Sequence, residues 1–217
     1  NINVSMDNRI YDFTPGTNAW VLKAAVLPVP RGYIPTATIG NFIYTRGVLR
    51  ALLGHYLNVP PANVTFRYGR TGKPELSPEF RDTSFQFNLS HSHGQLLFAI
   101  ARHCAIGVDI EMIRPDTDIE RIAERIFSFA ETEQLRALDG LGKRTAFFNG
   151  WTRKEAYLKA RGEGIGEGLD QFAVSLIPGK PARLLFDRRD PDAVSRWSIH
   201  DLATSSGFAA AVVVEAT

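Results

Sequence analysis

Asp109 and Glu111 stand two positions apart in Gly107-Val108-Asp109-Ile110-Glu111, and two positions is the repeat at which side chains on a β-strand share a face. If the stretch is a strand, both carboxylates project from one side while Val108 and Ile110 point to the other. Such a pair suits a hard cation such as Mg²⁺, which takes carboxylate oxygens, keeps water and fills its shell with substrate phosphates. A half-buried strand with a solvated polar face has the same pattern, so the pair alone decides nothing.

A second group lies in Trp151-Thr152-Arg153-Lys154-Glu155-Ala156-Tyr157-Leu158-Lys159. Read as a helix, it places residues 151, 155 and 159 on one face, so Glu155 and Lys159 are neighbours at the i,i+4 spacing. On an open surface that pair contributes a few tenths of a kcal/mol. The tryptophan in the same stripe argues that the face is partly buried, where charges without a task are costly. Glycines at 162, 164, 166 and 168 then end the helix. A third group, Phe87-Asn88-Leu89-Ser90-His91-Ser92-His93-Gly94, closes a short strand with polar residues. Asn88, Ser90, His91 and turn N–H groups are donors of the kind that hold a phosphate, although an Asn/Ser-stabilised turn has the same composition. No cysteine or further histidine cluster accompanies His91 and His93 to support zinc.

The elements that must carry these groups alternate. Strands are expected at Trp20 to Val29, Val64 to Tyr68, Phe85 to Leu89, Gln95 to Arg102 and Val108 to Glu111, and later at Phe172 to Leu176, Arg183 to Phe186, Trp197 to Leu202 and Phe208 to Val214. Helices are expected at Phe42 to Leu57, Ile119 to Ile126, Ala130 to Leu138 and Arg144 to Arg161. Arg70 to Pro74 reads as a turn, and so does the second Gly-Lys-Pro at 179 to 181. The order strand, helix, strands occurs twice, with the join near Cys104 to Gly107, which points to an α+β fold built from two similar halves, 1–105 and 106–217. Recurring short strands and turns also arise by chance.

The 217 residues are 44% hydrophobic and 22% charged, the composition of a packed globular chain. With 25 basic and 23 acidic residues intermixed, there is no basic stripe for nucleic acid. One cysteine excludes an internal disulfide and favours a reducing, cytoplasmic setting. No apolar run reaches the ~18 residues of a membrane span, and the polar start is unlike a signal peptide.

Taken in order, Gly72-Lys73-Pro74, Phe87-Asn88-x-Ser90-His91-Ser92, Gly107-x-Asp109-x-Glu111 and the Trp151-x-x-Lys154-Glu155-Ala156-x-x-Lys159 helix resemble the large, surfactin-synthetase-associated type of 4′-phosphopantetheinyl transferase. The resemblance covers roughly 46–165. It implies a pseudo-dimer of two α+β halves with the active site in the cleft between them, with Mg²⁺ and coenzyme A as ligands and an apo acyl or peptidyl carrier protein as partner. Asp109, Glu111 and Glu155 are then the metal-binding acids, with Glu155 also a candidate base for the carrier serine. Lys159 contacts the transferred phosphate, and Lys154 is a further phosphate contact. Arg46, Lys73, Ser90 and His91 hold the nucleotide and its 3′-phosphate.

The segment from Pro28 to Asn41 departs from the family pattern. Relatives carry cations there, and this chain has only Arg31. Met112 to Phe129, with Met112, Ile113, Phe127 and Phe129, is the expected carrier platform, although these residues could equally be core. A pseudo-dimer would act as a monomer. An Mg²⁺-dependent phosphohydrolase and an inactive module binding coenzyme A or a carrier stand as alternatives.

Overall fold

The computed structural model of the chain describes residues 20–28, 39–69, 72–164 and 168–215. The mixture of helix and sheet is the expected α+β class. Strand β1 (Trp20–Pro28) leads to helix α1 (Ile39–Leu57), and β2 (Phe66–Tyr68) pairs with β3 (Pro74–Leu76) as a hairpin. Strands β4 (Phe85–Ser92), β5 (Gln95–Arg102) and β6 (Ile106–Met112) follow. Helices α2 (Ile119–Ile126), α3 (Phe129–Arg136) and α4 (Gly140–Arg161) come next. The chain continues through β7 (Phe172–Val174), β8 (Leu184–Asp187), α5 (Ala193–Arg196), β9 (Trp197–Asp201) and β10 (Phe208–Glu215). The expectation for Pro28 to Asn41 falls mostly on 29–38, Arg31 included, which lie outside the described residues. Among the described residues no helix is long and apolar enough to cross a membrane.

Two three-stranded antiparallel sheets have the orders β1-β5-β4 and β6-β10-β9. In each, the opening strand pairs with the closing strand, which pairs with the penultimate one, and a long helix lies between them in sequence. The packing is layered. Val48, Leu49 and Leu53 of α1 cover Leu96, Phe98 and Ile100 of β5. The opposite face of β5, with Leu97, Ala99 and Ala101, meets Ile106, Val108 and Ile110 of β6 and Val212 of β10. Ala209, Ala211 and Val213, on the other side of β10, pack under α4. This alternation along β5, β6 and β10 is the period-2 pattern of strands buried on both faces.

Helix ends follow local chemistry. Asp118 caps α2 by accepting from Arg121 N, and Ser128 with Glu131 forms a capping box at α3. Gly162, at φ 73°, terminates α4 in the left-handed region that glycine adopts without strain.

One edge of β6 pairs with β10, which leaves the N–H groups of its other edge to be satisfied. Side chains of β4 do this: Asn88 Oδ1 accepts from Val108 N (2.9 Å), Ser90 Oγ from Ile110 N (3.4 Å) and Ser92 Oγ from Met112 N (3.1 Å). The constant offset of partners means that the two strands run in the same direction. The alternating polar residues read as a phosphate loop thus extend the strand to Ser92 and join the two sheets.

Candidate active site

Helix α4 lies directly on β6 because residue 107 is glycine. A Cβ there would sit 2.1 Å from Ala156 O and 2.3 Å from Ala160 N. The close approach sets Glu155 and Lys159 of α4 against the face of β6 that carries Asp109 and Glu111. Lys159 Nζ donates to Asp109 Oδ1 at 2.7 Å and to Ser90 Oγ at 3.2 Å. Ser90 Oγ in turn donates to Asp109 Oδ1 at 2.7 Å. Asp109 Oδ2 is buried and has no hydrogen-bond partner. Glu111 Oε2 accepts from Ser92 Oγ at 2.9 Å.

The acids perturb one another. Burial pushes the Asp109 carboxyl up, against the pull of Lys159. Burial and then the Asp109 charge push Glu111 up. Glu155, only 4% exposed, is pushed up to about 7, first by burial and then by Asp109, with Lys159 opposing and Glu111 adding. The Asp109 charge thus discourages ionisation of Glu111 and Glu155, and Glu111 adds to the effect on Glu155, a crowding of negative charge that a cation would relieve. Among the described residues no three His, Cys, Asp or Glu side chains converge closely enough to make a metal cage by themselves. A Mg²⁺ site does not need one, since that ion completes its shell with water and substrate phosphate. The all-oxygen donor set, its crowded charge and the orphaned Asp109 Oδ2 therefore fit this ion in type.

A cleft of about 350 Å³ opens beside Lys159, lined also by Lys73, Phe87, Asn88, Gly162 and Glu163 among others. Lys73 Nζ donates to Lys159 O at 2.6 Å, a cation at the negative end of α4, and burial lowers its pKa. Lys73 and Lys159 are thus brought together. Arg46 is elsewhere: its guanidinium stacks over Phe66 and Tyr68, 5.2 and 5.1 Å from the ring centroids, and it does not line the cleft. His91 is exposed on β4 and does not line it either. Ser90 is buried and committed to Asp109, Lys159 and Ile110 N.

The structure corrects the expectation for Lys154. Lys154 is not a phosphate contact, because it points away from the cleft at 1% exposure. Its three donors go to Leu169 O (2.7 Å), Phe172 O (2.6 Å) and Glu131 Oε2 (2.9 Å). Adjacent helix residues lie ~100° apart, so a neighbour of Glu155 faces different surroundings. The apolar carrier platform also shrinks. Phe127 is 3% exposed in the core, Met112 and Ile113 are half-buried, and only Phe129, at 81%, stands free.

Sequence reasoning missed the groups that hold the site in place. Arg153, fully buried, makes a two-pronged bond to Asp201 (2.9 and 2.6 Å), and Glu131 accepts from Ser128 N and Val174 N as well as Lys154. The available signal is three consecutive charged residues, Arg153-Lys154-Glu155, followed by the apolar-rich Ala156-Tyr157-Leu158.

The site is thus a sheet edge with two acids, faced by a helix with a third acid and a lysine, beside a cleft that Lys73 and Lys159 line. Residues 105–213 match the model of the 4′-phosphopantetheinyl transferase superfamily. The 4′-phosphopantetheinyl transferase HetI of Nostoc is 41% identical over 174 residues, 80% of this chain and 70% of that protein. The putative 4′-phosphopantetheinyl transferase slr0495 of Synechocystis is 38% identical over 60% of this chain and 53% of its own length. The 4′-phosphopantetheinyl transferase psf-1 of Bacillus pumilus is 33% identical over 70% and 63% respectively. The chain belongs to the 4′-phosphopantetheinyl transferase superfamily.

Proposed function

We propose that the chain moves the phosphopantetheine arm of coenzyme A onto a serine of an apo acyl or peptidyl carrier protein, with Mg²⁺ required and 3′,5′-ADP released. The observation that carries this reading is the meeting of Asp109 with Lys159 across β6 and α4, inside the segment that matches the family. Asp109, Glu111 and Glu155 are the residues that would hold Mg²⁺, which when bound supplies positive charge at the pyrophosphate oxygens. Lys73 and Lys159, both on the cleft wall, hold the anionic co-substrate. Ser90, His91 and Arg46 remain candidate nucleotide contacts, from outside the cleft lining.

In the transfer the serine oxygen bonds to phosphorus, the pyrophosphate P–O bond breaks, and the serine proton needs an acceptor. Glu155 is the candidate acceptor; its carboxyl is held at about 7 in the metal-free chain, and a bound Mg²⁺ would lower that value and weaken it as a base, so a water between Glu155 and the serine would ease the proton's transfer. Lys159 places its ammonium where charge grows on the leaving phosphate.

The shared strand order of the two sheets supports two related halves, 1–105 and 106–217, and hence a monomer whose cleft is complete without a partner copy. Exposed Phe129 supports the C-terminal part of Met112 to Phe129 as the contact for the carrier. The single cysteine is consistent with a cytoplasmic setting. The test is incubation with Mg²⁺, coenzyme A and an apo carrier followed by mass spectrometry. A phosphopantetheine-sized gain on the carrier serine is expected, and an unmodified carrier would sink the reading.

A further inference from the structure

We infer that Ser92 is a positioning residue for this site: it belongs to β4, yet it fixes the orientation of Glu111 on β6 and so makes one sheet set the metal-binding geometry of the other. This rests on Glu111 acting as a metal ligand, as proposed above. Ser92 is 6% exposed, so a stray hydroxyl there would be costly unless bonded. Its oxygen accepts from Met112 N at 3.1 Å and its proton goes to Glu111 Oε2 at 2.9 Å. One hydroxyl therefore holds both the backbone beyond Glu111 and the Glu111 carboxylate.

The arrangement is repeated one step along the strand. Ser90 Oγ accepts from Ile110 N and donates to Asp109 Oδ1. Asn88, the third of the row, accepts from Val108 N, and the residue next to Val108 on its N-terminal side is Gly107, which has no side chain to orient. Hydroxyls thus stand where the β6 neighbour is an acid and an amide stands where it is not. Asp109 has Lys159 as a second restraint, whereas Glu111 has no ion pair among the described residues, so its orientation depends more heavily on Ser92. His93 Nδ1 lies 3.2 Å from the same hydroxyl, on an exposed residue. As a donor it adds to the hold on Ser92, and as an acceptor it competes with Glu111 for the proton.

Groups that orient ligating carboxylates typically change metal affinity by about 10–100-fold when removed. The test is Mn²⁺ titration followed by electron paramagnetic resonance, at saturating coenzyme A and without carrier, so that affinity is read apart from turnover. Ser92→Ala, and Ser92→Cys as a variant of nearly unchanged volume, are expected to weaken Mn²⁺ binding about 10-fold. Ser92→Thr, which keeps the hydroxyl, should restore it. The KM for coenzyme A at saturating Mg²⁺ should stay near wild type. In a Glu111→Gln background, Ser92→Ala should add little further loss, because the two act through one bond. If Glu111→Gln weakens Mn²⁺ binding while the Ala and Cys variants do not, the positioning role is wrong and the ligand assignment stands. If Glu111→Gln itself has no effect, the ligand assignment fails and the inference falls with it.

Discussion

Lys159 Nζ lies 2.7 Å from Asp109 Oδ1, joining the last turns of α4 to the middle of β6. Asp109 is 5% exposed at its side chain and Lys159 27%, so the lysine spans from a buried acid to the cleft wall. A cation in that position can serve both the carboxylate beneath it and an anion arriving from solvent. Lys159→Ala is therefore expected to lower kcat by about 10²–10³, the loss typical of removing one donor that stabilises developing charge. Lys159→Arg keeps the charge but not the compact ammonium, and should recover only part of the rate. Steady-state kinetics with an apo carrier measures both. A Lys159→Ala variant with unchanged kcat would remove the lysine from the chemistry.

Glu155 gives a pH dependence. Its carboxyl is raised from 4.5 to about 7 in the folded chain. Between those values the unfolded state has lost a proton that the folded state retains, so this group lowers stability as pH rises through that window. Above pH 7 the accumulated cost is about 3 kcal/mol. Glu155→Gln should accordingly stabilise the metal-free protein at pH 8, by up to that amount, and have little effect at pH 4.5. Urea unfolding in EDTA at the two pH values checks the sign. A larger gain at the lower pH would contradict it.

Lys154 is expected to matter for stability and not for coenzyme A. Replacing it by methionine leaves Glu131 buried without its cation, a change that typically costs about 3–5 kcal/mol. The KM for coenzyme A of the remaining folded protein should be unchanged. The double variant Lys154→Met, Glu131→Gln should recover part of the loss, since neither charge is then left alone. Denaturant midpoints and coenzyme A titrations on the three variants distinguish this structural role from phosphate binding.

Gly107→Ala places a methyl where Ala156 O and the backbone of Ala160 now lie. These are backbone atoms of a packed helix, so the helix must move, at about 2 kcal/mol or more. The displacement would also separate Glu155 and Lys159 from Asp109. Loss of both thermal stability and transfer is expected. A variant with wild-type melting temperature and activity would show that α4 does not depend on this contact.

Local chemistry was legible in the sequence, and long-range partnership was not. The helix Ile119–Ile126 has the bounds read from its periodicity, and Asp109 and Glu111 share a face because strand geometry alone requires it. The pattern predicts a strand that stops at Leu89, because Ser90, His91, Ser92, His93 and Gly94 have the composition of a turn. The strand continues to Ser92 because Asn88, Ser90 and Ser92 accept from N–H groups of β6, twenty residues onward, a requirement no local window contains. Lys154 differs from expectation for a similar reason. Adjacency to Glu155 in sequence says nothing of the buried Glu131 that receives it from another helix. Strand β3 and helix α5 have no counterpart among the expected elements, because three or four residues carry too little periodicity to read.

The most direct test of the site is the rate at which wild type and Asp109→Ala convert an apo carrier with Mg²⁺ and coenzyme A, followed by intact-mass spectrometry. Asp109→Ala, its fold verified by circular dichroism, should leave the carrier unmodified over the time in which wild type converts it fully. Conversion at a comparable rate would mean that the acids of β6 are not where the transfer occurs.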